Sequence, residues 1–173
     1  AMKNLITLIL SIVLVSCGAT VAYDYDTETD FSGYKTYNYY PNIESNLSNL
    51  DNTRIIKATD SLLTARGFQK SETPHLLINF FATEFLTQSN TSIGFGVGTG
   101  GYNGGVGVSG GIPVGGDIIN QKLTFDFIDN KEDKLIWQAI GNDELKVKAD
   151  SQQKDVYYFT IISKILKGYP PKK

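Results

Sequence analysis

The chain has 173 residues, enough for one domain with a sizeable core. Its 41% hydrophobic and 20% charged residues are those of an ordinary globular protein. A net charge of -2 and the lack of a long basic run argue against a nucleic-acid partner.

The first segment reads as an export signal. Lys3 supplies a short positive region, and an apolar run follows from Leu5 to Val15, broken by Thr7 and Ser11. A bilayer span needs about 20 apolar residues, so this run suits the apolar part of a secretory signal instead. The stretch Leu14-Val15-Ser16-Cys17 resembles a bacterial lipobox, with small residues before the only cysteine of the chain. Small side chains let a membrane peptidase reach the bond between Ser16 and Cys17. The freed Cys17 then carries a diacylglycerol on sulfur and a further acyl chain on nitrogen. Two or more chains anchor stably where one does not. The competing reading is a core cysteine behind a plain signal peptide; the position and the single thiol favour lipidation. The expected organisation is a signal peptide over 1–16 and one domain over 17–173. A single cysteine allows no disulfide within the chain. Gly18 stands where an Asp would resemble an inner-membrane retention signal, so outer-membrane anchoring with a periplasm-facing domain is expected.

Two strands are expected in 20–40. Tyr23 and Tyr25 alternate with Asp24 and Asp26, and Tyr34, Tyr37 and Tyr39 mark the second strand before Pro41. Asp51 is placed to cap a helix over about 52–66, with Ile55, Thr59, Leu62, Leu63 and Arg66 on one face and Gly67 closing it. Residues 75–87, "HLLINFFATEFLT", suit a central strand covered at least in part on both sides. Residues 121–147 read as a hairpin turning at "DNKED". A last helix is expected over about 151–167, capped by Asp150 or Ser151. Its stripe is Tyr158, Ile161, Ile162, Ile165 and Leu166, and Gly168 and Pro170-Pro171 end it. This order predicts an α+β fold: a two-layer sandwich with a mostly antiparallel sheet and two amphipathic helices on one face.

Twelve of the 17 glycines lie between Gly94 and Gly116. Residues 96–101 match GxGxxG, but more glycine follows where a dinucleotide loop must open a helix. No Gly-Lys-Ser/Thr sequence is present either, so no nucleotide is expected. Ile93, Phe95 and Val97 alternate with glycine, as do Val106 and Val108, around Asn103-Gly104. That pattern suits a hairpin within 93–116, against a low-complexity loop as the alternative.

Catalytic and cofactor signals are weak. His75 is the only histidine and follows Pro74 at a strand entrance. No serine sits in a nucleophile elbow. An EF-hand loop from Asp24 would need Gly and Glu where Thr29 and Lys35 stand. The expectation is therefore no enzyme, no cofactor and no metal site.

The assembled stretches resemble a bacterial lipoprotein family of the domain-of-unknown-function series, DUF4136. The resemblance is carried by "DYDTETDFSGYKTY", "RIIKATDSLLTARGF", "PHLLINFF", "KLTFDFIDNKEDKLIWQAIG" and "ISKILKGYPP" in that order, with His75 where the family strand has an acidic residue. It implies a membrane-tethered α+β domain without assigned catalytic residues. The expected function is a non-catalytic envelope lipoprotein that binds a protein partner or lends structure. The alternative is a carrier of a lipid, glycan or peptide, which would need an apolar cavity between sheet and helices.

Overall fold

A computed structural model describes residues 19–87, 92–94, 111–113 and 116–172. Cys17, Ser16 and the expected signal segment lie outside the described residues, as do most of 93–116 and the turn expected at Asn103-Gly104.

Eight strands and two α-helices are described. They are β1 (Thr20–Tyr25), β2 (Thr36–Tyr39), α1 (Asn49–Thr64), β3 (Gln69–Lys70), β4 (Leu76–Thr87), β5 (Ser92–Gly94), β6 (Gly111–Pro113), β7 (Ile118–Asp129), β8 (Lys134–Lys146) and α2 (Ser151–Leu166). Six strands form one sheet in the order β1-β8-β7-β4-β2-β3. β5 and β6 form a separate antiparallel pair with Ile93 opposite Ile112. The β1, β8, β7 and β4 pairings are antiparallel, so the expected α+β sandwich with a mainly antiparallel sheet is observed.

Two features depart from the sequence reading. β2 joins parallel to both β3 and β4. The chain leaves β2, crosses through α1 and returns beside it, which is the connection a parallel neighbour requires. β1 and β2 are not paired; three strands separate them, and a 3-10 turn at Phe31–Gly33 leads the chain underneath.

Pleating sorts the side chains. Leu76, Ile78, Phe80 and Ala82 of β4, Leu123, Phe125 and Phe127 of β7, and Trp137 and Ala139 of β8 point to one face and are buried. A β-bulge between Phe127 and Ile128 leaves Ile136 as an extra residue, also buried. Both helices lie on this face. Ile55, Thr59 and Leu63 of α1 and Tyr158, Ile161, Ile162 and Ile165 of α2 complete the core. The other face is only half covered: Leu77, Asn79, Phe81 and Ile140 are intermediate, and β4 is exposed from Thr83 onward. The central strand is thus fully buried on one side and partly covered on the other over 77–81, as its sequence suggests, but exposed from Thr83 onward.

The helix ends follow local chemistry. Asp150 caps α2 in a capping box with Gln153. For α1 the cap is Ser48, not Asp51, and the helix starts at Asn49. The Ser48 hydroxyl accepts from the Asp51 amide at 3.1 Å and donates to the Asp51 carboxylate at 2.9 Å, so Asp51 acts one turn in, as the acidic half of the cap. At the other end Gly67 has φ +86°, and the Phe68 amide donates to the Leu63 carbonyl. This is a Schellman closure that needs the left-handed glycine.

Candidate functional site

The residues singled out for possible chemistry take structural parts. The His75 amide donates to Thr36 Oγ1 at 2.9 Å, and His75 Nδ1 accepts from the Lys35 amide at 3.3 Å. The ring therefore stitches the entrance of β4 to β2. In the acidic row, Asp26 accepts from Lys134 Nζ at 2.7 Å, the Thr29 hydroxyl at 2.9 Å and the Glu28 amide at 3.0 Å. The Lys134 bond and the two turn donors draw its carboxyl down to about 2. Asp30 caps the 3-10 turn at the Ser32 amide. These carboxylates hold a turn rather than converge, and no group of three metal-ligating side chains gathers among the described residues.

The larger polar clusters also join element to element. Asp60 on α1 accepts through Oδ1 from the Tyr37 and Tyr39 hydroxyls, each at 2.8 Å, and through Oδ2 from Lys70 at 3.1 Å. Burial first, then the hydrogen bond to Asp60 and its charge, push both phenols above their ordinary range. The Tyr34 hydroxyl donates to Asp129 at 2.5 Å, tying the 3-10 region to the β7–β8 turn. Gln121, buried on β7, donates to Glu84 at 2.7 Å and Tyr158 at 3.3 Å, and accepts from Tyr157 at 3.4 Å. Between the helices, Arg54 donates to Asp51, Asp155 and Ser151, and Lys154 reaches Asp51. Arg66 donates to the Leu166 and Tyr169 carbonyls at the other helix ends. These ties set α1 and α2 side by side with both N-termini at one end.

An aromatic cluster lies at the opposite end. Tyr169 packs on Phe127, Trp137, Phe31 and Phe68, with ring centroids 4.5–5.9 Å apart. The Tyr169 hydroxyl and Trp137 Nε1 are buried there without hydrogen-bond partners. Phe80, Phe125, Trp137, Tyr158 and Ile161, all fully buried, fill the layer between sheet and helices where a ligand cavity was considered.

What stays open is surface. β1 is an edge strand with no described partner on its outer side. Ala22 and Asp24 are exposed on it, and the Tyr23 and Tyr25 rings are 42% and 39% exposed. The sheet face opposite the helices carries Leu77, Phe81 and Ile140, and the Gln138 amide donates to Asp126 across it at 2.7 Å. At the far end of β4, β7 and β8 an open concavity of about 580 Å³ is lined by Phe85, Lys122, Asn142, Asp143 and Glu144 among others. Sequence reasoning marked the tyrosines of β1 but missed this end of the sheet. The signal was the apolar pair Phe85-Leu86 extending beyond the alternating part of β4.

The fold defines the chain as a one-sided α+β domain whose sheet is covered by two parallel helices. Residues 21–171 match the family described as a domain of unknown function, DUF4136, and the chain belongs to that family. No curated protein matches it. In fold the chain is similar to a PDZ domain protein from Parabacteroides distasonis, with 18% identity and a TM-score of 0.54. That match takes in 99% of this chain but 41% of the other, so the chain spans less than half of that protein. It is also similar to a PelC dodecamer subunit from Paraburkholderia phytofirmans, with 13% identity and a TM-score of 0.52 over 90% of this chain and 99% of that one.

Proposed function

We propose that the chain is a non-catalytic lipoprotein of the bacterial envelope. Cys17 anchors it to the outer membrane with the domain facing the periplasm, and it binds a partner protein or builds an assembly through the β1 edge. The observation that carries this reading is the contrast between committed and uncommitted groups. The described polar clusters tie one element to another, whereas no other described element covers the edge of β1 or the half-covered sheet face. A free edge recruits an extended segment through backbone hydrogen bonds, and flanking aromatics add contact area. The fold neighbour described as a dodecamer supports an assembly role for such a domain.

The test is site-specific photo-crosslinking in native envelopes. A crosslinking side chain at Ala22, exposed on β1, is expected to give a discrete adduct that one at Ser61 on α1 does not. Equal labelling from both sites, or none from Ala22, would remove the edge from consideration. Intact-mass measurement of the same protein checks for the diacylglyceryl group on Cys17.

A further inference from the structure

The length of chain between the anchor and the fold determines which end of the domain meets the bilayer. Only three residue steps separate Cys17 from Thr20, the first residue of β1. Fully extended, they reach about 10 Å. Thr20 lies in a row of the sheet with Asn142, Lys122 and Thr83. The chain before Thr20 enters from the side where β4, β7 and β8 run on past that row. β4 continues to Thr87, with Phe85 opposite Asn120 and Leu86 opposite Ile119. At about 3.4 Å per residue, Phe85, Leu86 and Thr87 stand about 7, 10 and 14 Å beyond the row. With its tether fully stretched, Cys17 is only level with Leu86. Any slack carries the tip of the sheet closer to the lipid than the anchor residue itself.

The side chains at this end suit that position. Phe85 and Leu86 are 63% and 64% exposed on opposite faces of β4. Val147, whose amide continues the ladder to Asp117, is also exposed. Leu50, in the first turn of α1, is exposed at the same end, since α1 and α2 start together through the Asp51, Arg54 and Ser151 contacts. Lys122, Lys146 and Lys148 are offset nearby by Glu84, Asp117, Asp143 and Glu144. This end carries exposed apolar side chains among mixed charges with no cationic excess, so apolar insertion rather than attraction to anionic lipid would hold it.

We propose that this end of the sheet is the membrane-contact surface of the domain, with Leu50, Phe85, Leu86 and Val147 entering the headgroup region of the bilayer that holds Cys17. The proposal rests on the lipid-anchor reading above. A short tether keeps the tip near the interface, where exposed apolar side chains gain by burial at the headgroup–acyl boundary.

The test uses the full lipidated chain, because a thioether-blocked Cys17 leaves an introduced thiol as the one reactive site. Phe85→Cys and Leu135→Cys are each labelled with bimane and reconstituted into vesicles of phosphatidylethanolamine and phosphatidylglycerol containing spin-labelled lipid. Leu135 is an exposed apolar control at the opposite end, about 27 Å away along the strands. The bimane at 85 is expected to lose most of its emission and shift to the blue, unchanged in high salt, while the bimane at 135 keeps both. Unquenched emission at 85, or equal quenching at both sites, overturns the contact surface. If intact mass then shows Cys17 lipidated, the anchor reading survives that failure. An unmodified Cys17 overturns both.

Discussion

Gly141 sets how closely α2 lies on the sheet, and its replacement tests the packing quantitatively. A Cβ at this position would meet Ile161 Cγ1 and Ile165 Cδ1 at 3.1 Å and Ile161 Cδ1 at 3.2 Å. Comfortable carbon contacts lie near 3.5–4.0 Å, so three neighbours must each yield by several tenths of an ångström. Gly141→Ala should gain about 0.5–1 kcal/mol from the restricted unfolded backbone. Overpacking should cost about 1–3 kcal/mol, leaving a net loss near 1 kcal/mol. Ile161→Ala removes two of the three crowding atoms and by itself should cost about 2–5 kcal/mol. In the double variant most of the crowding is relieved, with Ile165 Cδ1 alone left to yield into the space Ile161 vacates, while the backbone gain remains and the new methyl group refills part of the cavity, worth about 0.8 kcal/mol. The two losses should therefore fall short of additivity by at least about 1 kcal/mol. Urea denaturation of the four chains, each carrying Cys17→Ser and followed by Trp137 emission, measures this cycle. Trp137 is the only tryptophan and is fully buried, so its emission reports the core directly. Additivity within about 0.5 kcal/mol would refute the claim that Gly141 is glycine because α2 seats on it.

Other substitutions probe the polar ties. Asp60→Ala strands the Tyr37 hydroxyl, leaves Tyr39 only the Ile56 carbonyl at 3.2 Å and should cost about 1–3 kcal/mol, whereas Asp60→Asn keeps an acceptor for both and loses only a half-exposed ion pair with Lys70, a change below about 1 kcal/mol in the same denaturation assay. Tyr169→Phe removes a buried hydroxyl without a partner, so stability should hold or rise by about 1 kcal/mol; a clear loss would mean the hydroxyl is satisfied in solution. Ser48→Ala should lower stability by about 1 kcal/mol and fray the first turn of α1, seen as faster amide exchange at Asp51. The carboxyl of Asp26 is held near 2, below its unfolded value of about 3.9, so its contribution is complete above pH 4 and fades as the pH falls toward 2. Lys134→Ala should move its NMR titration midpoint back up, and an unmoved midpoint would separate the two residues.

The sequence made the helices and the β7–β8 hairpin legible because their signals are local. Gly67 carries a left-handed closure, Asp150 and Gln153 form a capping box, and Leu123, Phe125 and Phe127 alternate with polar residues. The start of α1 was misplaced by one turn because Ser48 and Asp51 are both good cap residues, and only the geometry shows that each serves the other. Strand neighbours were harder to foresee. The separation of β1 from β2 and the parallel seat of β2 on β4 depend on where α1 delivers the chain. Phe81 shows the same limit on a single residue. Its run with Phe80 reads as a strand covered at least in part on both sides, and Phe81 is indeed half-buried, yet the sequence does not say that its face is the one no described helix covers.

This one-sided construction separates stability from recognition. The buried residues of β4, β7 and β8 meet the helices, so substitution there acts on folding. Residues at alternate positions on the same strands, such as Asp24, Lys122 and Phe85, touch little of the core and can change without a folding cost. Period-two alternation thus lets one strand carry both tasks, with the core sequence on one side and, away from half-buried Leu77 and Phe81 and buried Thr124, a more variable surface on the other. On the proposed lipid anchor, the two residues between Cys17 and Thr20 add a geometric constraint. With the proposed anchor and contact surface, the β1 edge would run roughly along the membrane normal with the tip of the sheet at the lipid, so a partner strand adding to that edge would have to approach from the side. A partner restricted to that approach should lose its crosslink to Ala22 when residues are inserted between Cys17 and Thr20 only if it too is fixed at the membrane, whereas a freely diffusing partner should keep it.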